Sequence, residues 1–279
     1  MNNIAVLLTV YNRKDKTIRC LSRLFDQYDV GRFSLSVFVV DGGSTDGTAD
    51  SIHSLFPSVH LSVHTGLFWA GGMYAAWKLA LESGKEYDYI LLLNDDVEIN
   101  EDCLTELLDA DTQIKTKYGQ SGVYVGATCD PITKEYTYGG ISLKTGKSVI
   151  PNGEFQKCDL ANANIMLIPK EVYEKVGMLS NEYIHNNADY DYSLRTIQAG
   201  FAVYILPRYL GTCTRDHGNP WLPMSTPLKD RIKYMYSPTG LSYADNLIYT
   251  KKFFPQNYLK VKLMLWMKTL FPFLWDYFK

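Results

Sequence analysis

Apolar runs of strand length alternate along this chain with segments whose apolar residues recur every three to four positions. Residues 4–10 form the first run, followed by the polar triplet Tyr11-Asn12-Arg13 and then by Ile18, Leu21, Leu24 and Phe25 at helical spacing. Residues 35–40 form a second run, rich in β-branched side chains. It empties into Asp41-Gly42-Gly43-Ser44-Thr45-Asp46-Gly47-Thr48, where Ser44, Thr45 or Asp46 suits the cap of a helix carrying Ile52, Leu55 and Phe56. Residues 59–63 predict a short third strand. A glycine-bearing loop over 66–72 leads into a helix with Met73, Trp77, Ala80 and Leu81 on one face. Residues 89–93 are uninterrupted apolar sequence, as a strand buried on both faces requires, and they end in Asn94-Asp95-Asp96-Val97. Asn100 is placed to cap a helix with Leu104, Leu107 and Leu108.

Strand, loop and helix thus repeat at least three times, the pattern of a parallel sheet with right-handed crossovers. After Tyr118 the pattern changes. Residues 123–127, 136–143 and 148–150 read as short strands joined by Pro131, Gly139-Gly140, Gly146 and Pro151-Asn152-Gly153, which predicts a mixed or antiparallel extension. Residues 163–168 predict a strand ended by Pro169, and the next helix, from Lys170, stops at Gly177. A second acidic cluster, Asn186-Asn187-Ala188-Asp189-Tyr190-Asp191, opens a helix that ends at Gly200. Residues 202–206 predict a strand ended by Pro207. The loop beyond holds Arg215-Asp216-His217.

Composition narrows the class. At 279 residues, 46% hydrophobic and 21% charged, the chain is long and apolar enough for a full core. A net charge of −2 gives no basic field for nucleic acid. Five cysteines, an odd number with no C-x-x-C pair, argue against a disulfide framework or zinc site and for a reducing compartment. The N-terminus reads as a first strand and not as a targeting peptide. No run of 18 uncharged apolar residues occurs. The first strand–helix turn lacks G-x-G-x-x-G and no G-x-x-x-x-G-K-[ST] is present, so neither common phosphate loop is available.

Two clusters carry candidate chemistry. Asp95 and Asp96 follow a buried strand at the edge where open α/β sheets bind ligands, and their oxygens suit Mg²⁺ or Mn²⁺; a solvated turn is the plain alternative. Asp189 and Asp191 lie at a helix N-terminus, which stabilises carboxylates, and Asp191 is also spaced to pair with Arg195 at i,i+4. His217 is a metal candidate only in company with these acids.

Four motifs fall in one order: Thr9-Val10-Tyr11-Asn12-Arg13, then Val39-Val40-Asp41-Gly42-Gly43-Ser44-Thr45-Asp46-Gly47-Thr48, then Leu92-Leu93-Asn94-Asp95-Asp96-Val97, then Asp189-Tyr190-Asp191-Tyr192-Ser193-Leu194-Arg195 before Ala199-Gly200-Phe201. In this the chain resembles the family 2 glycosyltransferases of GT-A fold, and within them the bacterial rhamnosyl- and galactofuranosyltransferase-like branch. The resemblance covers residues 1–220 and implies an α/β nucleotide-diphospho-sugar transferase fold, with residues 221–279 as a C-terminal helical extension. It implies that Thr9 and Tyr11 line the nucleotide pocket and that Asp41 bonds the base. Asn12, Arg13, Gly43, Asp46, Gly71, Gly72 and Asn94 join the nucleotide-sugar site, with Asp95 near the ribose or donor sugar. Asp96 would hold the metal, with His217 as a late metal contact. Asp189 would be the general base, with Asp191 still open for that role. The chain departs from the family at Asn94, at Gly42, and at Ala188, where the branch usually carries Glu.

The implied reaction is inverting transfer of a sugar from a UDP- or dTDP-linked donor to a hydroxyl of a glycan or lipid-linked acceptor, with Mg²⁺ or Mn²⁺, in bacterial surface polysaccharide synthesis. A sugar nucleotidyltransferase would need a Gly-rich, basic first loop, which residues 9–16 do not provide. A non-catalytic carbohydrate-binding scaffold is favoured only by Ala188. The tail from Lys251 interleaves lysines with Trp and Phe, a pattern that suits a membrane interface. A docked helix or a homo-oligomer contact are the alternatives. The expected location is cytoplasmic, at the inner face of the cell membrane.

Overall fold

The computed structural model describes residues 1–27, 31–215 and 221–276. The first half builds β1 (Asn2–Val10), α1 (Lys14–Phe25), β2 (Phe33–Asp41), α2 (Thr48–Leu55), β3 (His60–Val63), α3 (Trp69–Glu82) and β4 (Tyr89–Leu93) in strict alternation. Then come β5 (Glu98–Ile99), α4 (Cys103–Tyr118), β6 (Gly122–Cys129), β7 (Tyr136–Tyr138), β8 (Gly140–Ser142), β9 (Lys147–Val149), β10 (Gln156–Cys158), β11 (Leu160–Ala161) and β12 (Ile165–Pro169). The remainder is α5 (Lys170–Val176), α6 (Ala188–Gln198), β13 (Ala202–Thr212), α7 (Leu228–Tyr236), α8 (Tyr243–Phe253), α9 (Tyr258–Leu270) and α10 (Phe273–Asp276).

The central sheet runs β10-β13-β6-β12-β4-β1-β2-β3. The pairs β1–β2, β1–β4, β2–β3 and β6–β13 are parallel, while β12 lies antiparallel between β4 and β6. The sheet is therefore mainly parallel, and the carboxyl ends of β1, β2 and β4 share one edge. Helices cover both faces. On β1, Ile4, Val6, Leu8 and Val10 pack toward α1, α2 and α4, while Ala5 and Leu7 pack toward α3, α5 and α6. On β4, Tyr89, Leu91 and Leu93 take the first face, Ile90 and Leu92 the second. Both faces are buried, which is why these strands read as unbroken apolar runs.

The structure corrects several sequence expectations. Residues 123–127 belong to β6, which is wholly buried inside the central sheet and pairs parallel with β13 but antiparallel with β12 and β7, so the expected mixed pairing continues the central sheet itself. Only β8, β9 and β11 make a separate antiparallel sheet. Pro207 does not end its strand. β13 continues to Thr212 through register shifts between Ile205 and Gly211, an irregularity where the missing proline N–H is tolerated. Asn100 does not cap α4 with its side chain, whose amide instead donates to the Tyr209 carbonyl at 3.0 Å; the cap position is Asp102.

Candidate active site

Three loops leave the sheet edge together, after β1, β2 and β4. Asp41 closes β2 and is fully buried. Its Oδ1 accepts the N–H groups of Gly43 at 2.9 Å and Ser44 at 2.7 Å, and its Oδ2 has no hydrogen-bond partner among the described residues. A buried carboxylate oxygen without a partner is costly in isolation, so the site is built for a donor that the chain does not supply. Gly42 has no room for a side chain: a Cβ there would lie 2.8 Å from the Leu67 carbonyl. Residues 64–67 fold back over this turn, with the His64 N–H on the Asp41 carbonyl at 2.8 Å and the Gly66 N–H on the Gly42 carbonyl at 3.1 Å.

The close approach of α3 to β1 also depends on glycine. A Cβ at Gly72 would sit 2.1 Å from Thr9 Oγ1, so the first turn of α3 lies against the end of β1 only because residue 72 has no side chain. The Gly71 N–H points at the Ile184 carbonyl, 3.5 Å away. Tyr11 is 59% exposed at the mouth of the loops. Asn12 and Asp46 tie these loops together. The Asn12 N–H donates to Ser44 Oγ at 2.9 Å, and its Oδ1 accepts the Thr45 N–H at 2.8 Å. Asp46 accepts the Thr48 hydroxyl and N–H on one oxygen and the Lys14 N–H on the other, and these bonds, the Thr48 hydroxyl above all, lower its pKa. Both oxygens of Asp46 thus bond within the scaffold, and its side chain is otherwise exposed. Helix α2 itself begins after Gly47.

The acids after β4 diverge. Asp95 continues the inward face of Leu91 and Leu93 and is 5% exposed. It accepts the Thr17 hydroxyl of α1 at 3.0 Å, and burial, with Asp96 beside it, raises its pKa to about 7. Asp95 is thus held against α1, whereas the sequence placed it near the donor sugar. Asp96 stays on the rim. Arg13 Nη1 lies 2.7 Å from Asp96 Oδ2 and 3.5 Å from Asp95 Oδ1. Asp96 lines a cleft of about 70 Å³ with Lys16, Arg19, Glu98, Thr212 and Thr214. His217 lies outside the described residues. Among the described residues no group of three His, Cys, Asp or Glu side chains could hold a metal. Mg²⁺ and Mn²⁺ are commonly held by one or two carboxylates plus substrate phosphates, so Asp96 on the rim fits a divalent ion that arrives with a diphosphate. A larger groove of about 480 Å³ lies away from this edge, between α4 and Pro207, and brings no acid pair together.

The second acidic cluster resolves into two different residues. Asp191 is fully buried and fully engaged: Arg195 Nε donates to Oδ2, while Lys252 Nζ at 2.6 Å and the Tyr183 hydroxyl at 3.1 Å donate to Oδ1. With two cations and a hydroxyl on it, Asp191 is a structural ion-pair centre, and this corrects its candidacy as base. Asp189, on the first turn of α6, is half-buried. It accepts the N–H groups of Tyr190 at 2.9 Å and Ala163 at 3.3 Å, and burial outweighs these bonds to raise its pKa to about 6. Ala188 is fully buried in the apolar cluster under α6, which accounts for a methyl in place of a carboxylate.

Three residues escaped sequence reasoning. Asp245 of α8, 1% exposed, accepts the N–H groups of Ile184 at 3.0 Å, His185 at 2.9 Å and Asn186 at 2.8 Å, with the Ser242 hydroxyl at 2.9 Å. His185 Nδ1 then accepts the Trp69 N–H at 3.3 Å, and the Trp69 indole donates to Asn94 Oδ1 at 2.7 Å. A connected path therefore runs from α8 through the segment before α6 to the acidic motif after β4. The only available signal was Ser242-x-x-Asp245, a capping pattern that announces a helix start but not its reach to residues 184–186.

Comparison with known proteins gives a family and a fold. The model of the glycosyl transferase family 2 matches residues 5–176, a span that ends before Asp189. Among solved structures the chain resembles S. aureus TarS 1-349 in complex with UDP-GlcNAc, at 18% identity and a TM-score of 0.53, over 84% of this chain and 64% of that one. It also resembles the mannosyltransferase PcManGT from Pyrobaculum calidifontis in complex with GDP-Man and Mn²⁺, at 16% identity and a TM-score of 0.52, over 83% and 60%. The match to the longer S. aureus TarS structure covers 76% of this chain and 36% of that one, at 18% identity and a TM-score of 0.53. The chain thus spans less than two thirds of these structures, and at such identities the likeness is one of fold. No curated protein matches.

Proposed function

The chain belongs to glycosyl transferase family 2, and from that premise we propose that it is a metal-dependent, inverting sugar transferase acting on a nucleoside-diphosphate sugar. The observation that carries the reading is Asp41 Oδ2, a buried carboxylate oxygen with no partner among the described residues, at the edge where open α/β sheets bind ligands. An ionised carboxylate accepts the ring N–H of uracil or thymine, which favours a UDP- or dTDP-linked donor. Tyr11 lies beside Gly42 in the turn that follows Asp41, and Thr9 lies near the end of the neighbouring strand, against Gly72. Solved relatives in fold carry UDP-GlcNAc or GDP-Man with Mn²⁺, which supports a nucleotide sugar and a divalent ion here.

Asp96 would hold Mg²⁺ or Mn²⁺, and such an ion neutralises charge on the leaving diphosphate. Asp189 takes the proton from the acceptor hydroxyl as its oxygen attacks the anomeric carbon. The nucleoside diphosphate leaves from the opposite face, so the configuration inverts. With its pKa raised to about 6, Asp189 is ionised at neutral pH yet more basic than an ordinary aspartate, which suits a general base. The acceptor in this reading is a hydroxyl of a glycan or lipid-linked sugar, displayed at the inner face of a bacterial cell membrane during surface polysaccharide synthesis.

Calorimetric titration of UDP, dTDP and GDP, with and without Mn²⁺, tests the donor half of this reading. Metal-dependent binding of one nucleotide, lost in Asp96→Ala, is the expected result. Binding of none would move the protein to the non-catalytic class that Ala188 alone had favoured.

A further inference from the structure

The C-terminal helices divide their faces by contact. On α9, Leu265 and Thr269 are buried, and Val261 and Trp266 pack with Met235 and Leu241 around the α7–α9 core. Helical geometry sets Leu259, Leu263, Met267 and Leu270 on the opposite stripe. Leu259 is 76% exposed and Leu263 63%, and Met264, Phe271 and Phe273 beside them are also exposed. Large apolar side chains gathered on one outward face are unusual for a surface in contact only with water.

Charge states what this face meets. Between Asp245 and Asp276 the chain carries five lysines and no acidic residue, although the whole chain sums to −2. Two of the five turn inward: Lys252 pairs with Asp191, and Lys268 lies over the Trp221 ring at 5.9 Å. Lys251, Lys260 and Lys262 are exposed, the last two on the same helix as Leu259 and Leu263. No helix among the described residues is long and apolar enough to cross a membrane. A short amphipathic helix with outward leucines and flanking lysines lies in an interface instead.

We propose that α9 and the turn into α10 form a membrane-docking face, in which Leu259, Leu263, Phe271 and Phe273 enter the headgroup region of an anionic bilayer while Lys251, Lys260 and Lys262 contact lipid phosphates. For its purpose the proposal rests on the transferase reading, since a lipid-linked acceptor is displayed at such a surface. The binding itself does not require that reading. Attraction to anionic headgroups weakens with salt, and insertion of the leucines does so less.

The test is co-sedimentation of the full chain with vesicles of phosphatidylcholine alone and of phosphatidylcholine with phosphatidylglycerol. The expected result is binding to the anionic vesicles, falling with added NaCl and reduced at least tenfold in Leu259→Asp/Leu263→Asp. Lys260→Gln/Lys262→Gln should reduce binding mainly at low salt. Both variants change exposed side chains, so their thermal melting should match the parent chain. Equal vesicle binding by parent and double-Asp variant overturns the proposal. So does a parent chain that binds no vesicle but forms a dimer, by light scattering, that the double-Asp variant cannot form. UDP, dTDP and GDP titrations on the parent chain and the same variants separate the two readings. Loss of nucleotide binding in the parent chain removes the transferase function, whereas loss of vesicle binding alone removes only the docking face.

Discussion

Asp41 spends one carboxylate oxygen on two backbone N–H groups and leaves the other without a partner among the described residues. Asp41→Asn keeps an oxygen for Gly43 and Ser44 but turns an amide donor toward the nucleotide base. Loss of a charged hydrogen bond of about 1.5–3 kcal/mol predicts roughly ten- to hundredfold weaker nucleotide binding, read by calorimetry. Unchanged affinity would show that the base lies elsewhere. Asp189 gives a pH prediction. Burial raises its pKa, so the ionised base is present above about 6 and is lost as pH falls through that value. Turnover should therefore drop on the acid side near pH 6, and Asp189→Asn should abolish that limb along with the rate. At this scale the sequence located the ends of elements, with Asp41 closing β2, Asp96 just after β4 and Asp189 in the first turn of α6. It misled where a polar residue in a motif serves the scaffold. Asp95 and Asp191 carry motif-like spacing, and only their partners Thr17 and Lys252 reveal that they face inward; Asp46 stays exposed but spends its oxygens on the Lys14 N–H and on Thr48.

Secondary-structure elements place those residues, and two contacts decide how. The first turn of α3 lies on β1 because Gly72 leaves room for Thr9. Gly72→Ala forces the helix away from the strand, and overpacking of this kind costs about 1–3 kcal/mol. Chemical denaturation should report that loss, with weaker donor binding beside it. The second contact is Asp245 on residues 184–186. Asp245→Ala leaves three part-buried N–H groups without their acceptor and should cost on the order of 2 kcal/mol. Because the segment leads into α6, kcat should fall more than the donor KM rises; an Asp245→Ala enzyme with normal kcat would show that the contact only stabilises the fold. The alternation of β1 to β4 with α1 to α3 was plain in the hydrophobic pattern, because β1 and β4 are buried on both faces and the helices between them carry apolar residues at helical spacing. The membership of β6 and the continuation of β13 past Pro207 were not. Both depend on pairing between strands far apart in sequence, which local periodicity does not encode.

Taken whole, the molecule binds its C-terminal extension into the site. The sequence divides naturally into residues 1–220 and 221–279, yet Asp245 and Lys252 reach across that boundary to residues 184–186 and Asp191. A fragment of residues 1–220 should therefore melt below the full chain and lose turnover, measured by calorimetry and donor consumption; a fragment as stable and active as the full chain would contradict this coupling. The central claim is that Asp189 is the base of a nucleotide-sugar transferase, and the most direct measurement is nucleoside-diphosphate release by Asp189→Asn from the donor that the titrations select. The account predicts a fall of about 10²–10⁴-fold in rate with donor affinity nearly unchanged. Turnover equal to that of the parent chain would contradict it.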